Sequence, residues 1–248
     1  MLAILSALSA SAWSPSVASH APAARRCAAI SANAATDATA VSFDVIEKTK
    51  EFIAGASGYY SPVDEEMYDE QFVFRAPSIG PLNKQDYCYT MSSLNVYTGY
   101  PDLTSNAFGH TVDPADPLKC IFWTRATGTF SQPWNPFGKR AEALPFAMLQ
   151  PNNRRAQLPT ECYSITFTPE GKAKLLTAGY VVNRFEGNTR GLGAVLALFE
   201  NAGLPQMADV ALNDNARSAV NWLSNNVDEA IAKTRSNPED LPTWYRES

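Results

Sequence analysis

Past its first forty residues this chain offers few side chains able to move a proton or bind a metal. Histidine occurs only at His20 and His110, so His110 stands alone in the remainder. The acids that fall at turns or strand ends, and are therefore candidate bases, are Asp102, Glu161 and Glu186. Tyr163, Tyr180 and Arg125 are the candidate donors. A carboxylate beside a substrate carbonyl, with a donor for the developing enolate oxygen, is what proton-transfer chemistry requires. Each acid also has a plainer reading as a cap or a solvated turn: Asp102 follows Pro101, and Glu186 precedes Gly187-Asn188. A single His excludes HExxH and His-rich zinc chemistry. Cys88, Cys120 and Cys162 are widely spaced without a CxxC pair and read as buried free thiols. The stretch 187–193, GNTRGLG, lacks both phosphate-loop patterns and reads as a strand-to-helix turn. The acidic run 64–70 sits at a helix start, where carboxylates cap rather than ligate. No metal or cofactor is expected.

Composition sets the class. The 248 residues are 45% hydrophobic and 18% charged, with a net charge of -5. That is ordinary for a globular domain and lacks the basic surplus that nucleic-acid binding needs. No apolar run approaches the ~20 residues that span a bilayer. The first forty residues differ: they are rich in Ala and Ser, carry Arg25 and Arg26, and contain one acid, Asp37. This is the composition of a targeting segment. The apolar run 2–8, followed by Ala10-Ser11-Ala12-Trp13-Ser14-Pro15, resembles the junction of bipartite presequences used by algae with secondary plastids. On that reading residues 1–40 are a presequence and the protein works in the plastid, in the stroma.

The elements that must position the candidates follow from periodicity. Residues 43–56 place Phe43, Ile46, Phe52 and Ile53 at helical spacing. A second short helix begins near Pro62, with acids in its first turn. A strand at 71–75 stops at Pro77, and Asn83 caps a helix that runs to Leu94. Strands are expected at 107–112 and 118–130, joined as a hairpin by a long loop through 113–117. The second of these would place Ile121, Trp123, Arg125, Thr127 and Thr129 on one face. Residues 131–159 form an insertion with Trp134, Phe137, Phe146 and Met148, a candidate lid over a pocket mouth. Strands at 161–168 and 172–185 flank the turn 169–172, and a helix spans 191–202. A tail helix at 215–233 carries Ala216, Val220, Leu223, Val227 and Ile231 on one face. The organisation is a presequence 1–40, a domain 41–203 and a helical C-terminal extension 204–248.

This order resembles the NTF2-like superfamily, in its SnoaL-like branch of polyketide cyclases and ketosteroid isomerases. The likeness rests on three stretches. CIFWTRATGTF (120–130) is similar to a strand leading into Thr-Gly-Thr-His. FRAPSIGPLNKQDYCYTM (74–91) is similar to the family's strand, turn and helix. Pro169-Glu170-Gly171-Lys172 is similar to its acid-Gly-Lys turn. The resemblance implies an α+β, cone-shaped barrel whose curved, mostly antiparallel sheet wraps N-terminal helices around a pocket. It implies Trp123, Arg125, Phe130, Tyr163 and Tyr180 as pocket residues. It also implies a His where Phe130 stands, and an acid in the strand around 163–168, where there is none.

Three functions therefore compete. The first is a plastid pocket protein that binds a small apolar molecule, such as a pigment or lipid, or a protein partner, without catalysis. The second is an isomerase, cyclase or hydrolase with a relocated acid/base among His110, Asp102, Glu161 and Glu186. The third is a scaffold or assembly subunit of a photosynthetic complex, resting on the tail and on Trp134, Trp222 and Trp244. A homodimer through the sheet is a further implication of the resemblance.

Overall fold

The computed structural model describes residues 41–136, 148–204 and 233–246, with isolated positions 213, 215, 218 and 222. Helix α1, Val45–Gly55, lies within the predicted 43–56 span. Asp44 caps it by accepting from the Ile46 and Glu47 amides, and Val45, Thr49, Phe52 and Ile53 form its buried face. The expected second helix shrinks to a 3-10 turn, Glu65–Met67, because Val63 bridges Ser57 and holds the preceding segment against the end of α1. Strand β1, Tyr68–Arg75, is followed by the short β2, Leu82–Asn83. Helix α2, Lys84–Leu94, starts where predicted, since the Asn83 side chain accepts from the Asp86 amide at 2.8 Å. A single helical turn, α3, Val96–Gly99, leads out of it.

Four longer strands complete the main sheet: β3, Phe108–Asp113; β4, Asp116–Thr124; β7, Glu161–Phe167; and β8, Ala173–Val181. Two short strands between β4 and β7, β5 (Thr127–Thr129) and β6 (Arg155–Gln157), pair with each other as a separate ribbon. The main sheet runs β2-β1-β8-β7-β4-β3, antiparallel except for the parallel pair β1–β8. Register shifts in the β1–β8, β3–β4 and β7–β8 pairs bend it. Its concave side packs on α1 and α2, and the aromatic rings of Phe52, Tyr68, Phe72, Tyr87 and Phe167 interlock there. The α+β class, with a curved and mostly antiparallel sheet around N-terminal helices, is thus as expected.

Three sequence expectations need correction. The hairpin β3–β4 has a tight turn, with Asp113 paired to Asp116, rather than a long loop. The predicted 118–130 strand breaks at Arg125. There the Arg125 amide donates to the Ser105 carbonyl, Thr127 pairs with Thr104, and the Leu158 amide donates to the Ala126 carbonyl. Competing partners for the backbone carry the chain out of the main sheet, so Thr127 and Thr129 do not continue the Trp123 face. Finally, Trp134 belongs to the core. It is fully buried, donates from Nε1 to the Leu94 carbonyl at 2.6 Å, and stacks on Phe199 of helix α4, Ala194–Ala202. Residues 131–136 and 148–159 therefore pack against the body of the fold. Phe137 and Phe146 lie outside the described residues, as does most of the 215–233 helix.

The described end of the tail returns to the domain. The Gly80 amide donates to the Thr234 carbonyl, and the Ser236 amide donates to the Pro81 carbonyl. Ser236 Oγ and Lys233 Nζ both engage the Asp86 carboxylate, at 2.6 and 2.8 Å. Trp244 donates to the Gln71 carbonyl, with Lys174 over its ring. Residues 233–246 are a strap across the β1–β2–α2 edge, not a free arm.

Candidate functional site

Helices α1 and α2, strands β1, β7 and β8, and the start of α4 enclose a cavity of ≈ 80 Å³ whose lining is almost wholly apolar. Ile53 from α1, Met91 and Leu94 from α2, Leu176 from β8 and Val195 from α4 supply much of the hydrocarbon. Side chains alternate across a strand, so Tyr163 and Leu176 reach inward while their neighbours Cys162 and Thr177 do not.

The polar groups of the lining can be accounted for one by one. Ser57 Oγ donates to the Ile53 carbonyl, Tyr87 Oη to the Ser57 carbonyl, and Thr90 Oγ1 to the Lys233 carbonyl. Tyr163 Oη donates to Glu161 Oε2 at 2.9 Å. The hydroxyls of Tyr59 and Tyr60 are buried and have no partner. That of Tyr60 faces Tyr163 and Thr124, whose own hydroxyl is also unpartnered. Burial pushes the phenols of Tyr59, Tyr60 and Tyr163 up, and nearby Glu161 adds to the shift, so all three stay protonated donors.

Glu161 sits one hydrogen bond behind this wall. It is fully buried, accepts from Tyr163 and takes the Ala194 amide at 2.5 Å. Burial raises its carboxyl above the ordinary range, against the pull of those two donors. The local sequence makes room for it: a Cβ on Gly193 would collide with Oε1. Ala194 holds a left-handed φ of 46°, rare outside glycine, with its amide turned to that carboxylate.

Of the five pocket residues predicted from sequence, Tyr163 alone lines the cavity. Trp123 lies on the outer face of the sheet, stacked on Phe108. Arg125 covers the same Phe108 ring and donates to Thr160 Oγ1, because the strand has already left the sheet. Phe130 is fully buried elsewhere in the core, stacked on Tyr100 at 5.3 Å. Tyr180 is 42% exposed on the outer face. The other catalytic candidates are also dispersed. His110 stacks flat on Phe122, and burial lowers its pKa. Asp102 binds the Thr129 amide and hydroxyl; burial pushes its carboxyl up, but those bonds outweigh it and hold it low. Glu186 takes the Thr160 hydroxyl and amide, which lower its pKa. Sequence reasoning missed Tyr59 and Tyr60. The available signal was a Tyr pair directly after the helix-ending Gly58 and before Ser61-Pro62.

The sequence matches no protein-family model, and no curated protein matches it. Among solved structures, the chain is similar to a proposed SnoaL-like polyketide cyclase from Jannaschia sp. CCS1. That match has 13% identity and a TM-score of 0.41, covering 64% of this chain and 92% of the other. An NTF2-like protein from Anabaena variabilis gives 13% identity and a TM-score of 0.37, over 60% of this chain and 90% of the other. A steroid delta-isomerase from Pseudomonas aeruginosa gives 12% and 0.32, over 67% and 92%. At these levels the likenesses carry no functional information, and the chemistry of the site rests on its own geometry.

Proposed function

We propose that this chain is a plastid member of the NTF2-like superfamily that binds a compact, mostly apolar small molecule in the cavity between α1, α2 and the sheet. The observation that carries the reading is the cavity itself: an apolar space of ≈ 80 Å³ walled by hydrocarbon and lined by two buried, unpartnered hydroxyls. A well-packed core fills such space, and buried polar atoms find partners. The plastid assignment is supported by the composition of residues 1–40. Fusing that segment to a fluorescent reporter in an alga with secondary plastids tests it, and cytosolic fluorescence would refute it.

Xenon tests the pocket without presupposing a ligand, because it enters dry apolar cavities. Xenon NMR of the purified protein is expected to show binding that Ala178→Phe, which fills the cavity from β8, abolishes. No binding, or binding indifferent to that substitution, would sink the reading.

One observation favours a second reading, an isomerase, cyclase or hydrolase with a relocated acid/base: Glu161 is buried with a raised pKa, one hydrogen bond from the cavity. Burial that favours the protonated form of a carboxyl is one way an acid/base group is made. Faster deuterium exchange α to the carbonyl of cyclopentanone with the wild type than with Glu161→Gln would support it. Equal rates would eliminate it.

A further inference from the structure

The loop 182–191, between β8 and α4, holds an apolar tip in solvent. Phe185 is 84% exposed, the most of any large apolar side chain among the described residues, and Val182 is 60% exposed. Hydrogen bonds keep the tip from folding back onto the domain. The Val182 amide donates to the Thr160 carbonyl, and Glu186 accepts from the Thr160 amide and hydroxyl. Asn188 exchanges bonds with the backbone of Gln157 and Arg155 on β6. Gly187 and Gly191 hold left-handed φ values, and a Cβ on them would strike the Gln157 carbonyl and Arg184 respectively. A loop fastened on both sides of Phe185 keeps hydrocarbon in water, a cost that contact with an apolar phase removes.

The surroundings of this tip are cationic. Arg184 and Arg190 lie in the loop, Arg154 and Arg155 at the start of the ribbon it bonds to, and Arg125 beside Thr160. All five are exposed. Among the described residues, the carboxylates next to them are already engaged: Glu186 on Thr160, Asp102 on Thr129, and Glu200 with Arg190 at 3.4 Å. The Arg184 guanidinium lies 5.0 Å over the Phe185 ring, so charge and hydrocarbon share one tip. The chain as a whole is instead acidic, with a net charge of -5.

An anionic bilayer matches both properties. A protein partner would need a socket shaped for a protruding ring. A bilayer interface yields around an inserted side chain, and its anionic headgroups attract the arginines around it. No helix among the described residues is long and apolar enough to cross a membrane, so the contact is at the surface. We infer that the loop 182–191 docks this protein on anionic membranes, with Phe185 and Val182 entering the interface and the surrounding arginines engaging lipid phosphates. The inference stands whatever the cavity holds.

Cosedimentation of the full chain with vesicles tests it. One set is phosphatidylcholine alone, and the other contains about a third phosphatidylglycerol to set a negative surface potential. Binding is expected to the anionic set, weakening as salt is raised. Arg184→Ala should weaken it about fivefold, the effect of one cation at the surface. Phe185→Ala should weaken it about tenfold. Phe185→Trp should retain binding, because Trp suits the interface, and brominated lipid should quench its emission beyond the wild-type level. Any binding by Arg25 and Arg26 in residues 1–40 is common to wild type and variants. Thermal melts should be unchanged throughout, since the altered side chains are exposed.

Equal binding to neutral and anionic vesicles overturns the inference, as does anionic binding that Phe185→Ala and Arg184→Ala leave intact. A lack of extra quenching in Phe185→Trp overturns it too, by placing the tip outside the lipid. Failure on vesicles together with binding to poly-glutamate that Arg184→Ala weakens would overturn it in favour of an acidic protein partner.

Discussion

Glu161 and Phe130 exchange the importance that their neighbourhoods in the sequence suggest. Phe130 stands where the resemblance implies a histidine, yet its ring is enclosed by Tyr100 and Trp134, away from the cavity. Phe130→His should therefore restore no catalysis and should destabilise the fold by about 1–3 kcal/mol, the penalty of a buried, unpartnered polar ring. A denaturant titration checks this, and unchanged stability would refute it. Glu161 gives the complementary pH prediction. Its carboxyl is raised in the folded state, so the native protein holds that proton more tightly than the unfolded chain does. Its contribution to stability is then greatest below the ordinary carboxylate pKa and declines as pH rises through the raised folded value. Chemical denaturation across that window should show a fall for the wild type, relative to Glu161→Gln. Parallel curves for the two proteins would refute it.

At the level of elements, the strap and the start of α4 are the two features that local sequence patterns do not announce. Residues 233–246 cross the β1–β2–α2 edge, bonding to Gly80, Pro81 and the cavity-lining Thr90. Asp86 is the fastening point, buried and holding both Ser236 and Lys233. Asp86→Ala leaves those partners without an acceptor and should lower stability by about 2 kcal/mol. It should also expose the C-terminal segment to limited proteolysis before the domain unfolds. Cleavage that appears only with global unfolding would show that the strap is held by other contacts. Legibility varied by element for a physical reason. Helix α1 declared itself through the spacing of its apolar residues and α2 through Asn83, since both are interactions within about four residues. The 118–130 strand did not show its break, because the partners that pull Arg125–Thr127 aside come from residues 104–105 and 158.

Across the whole molecule, the outer face of the sheet contrasts with the closed interior. Phe108, Trp123, Cys162 and Tyr180 align in register across β3, β4, β7 and β8. They are half-buried or exposed, and no described helix covers them. The homodimer implied by the resemblance has this row as its candidate surface, an apolar stripe of the kind that association buries. Sedimentation equilibrium should show a dimer that Tyr180→Arg weakens at least tenfold. A monomer, or a dimer unaffected by the change, would refute it. Of the three tryptophans behind the scaffold reading, Trp134 is core and Trp244 is engaged with Gln71 and Lys174.

The sequence by itself determined helices α1 and α2, the Asn83 cap and most strand positions, because periodicity, turns and caps are interactions between near neighbours. It also singled out Tyr163 and Glu161 as members of a short list. Only the tertiary structure decided which candidates share a site. Tyr59 and Tyr60 come from the turn after α1, Tyr163 from β7 and Leu176 from β8, and the tertiary packing brings them to one cavity. The same packing sends Trp123 and Tyr180 to the opposite face. Alternation along a strand fixes which residues share a side, but only packing against α1 and α2 selects the side that is buried. The lack of partners for Tyr59 and Tyr60 is likewise a property of everything around them, which no spacing of residues encodes.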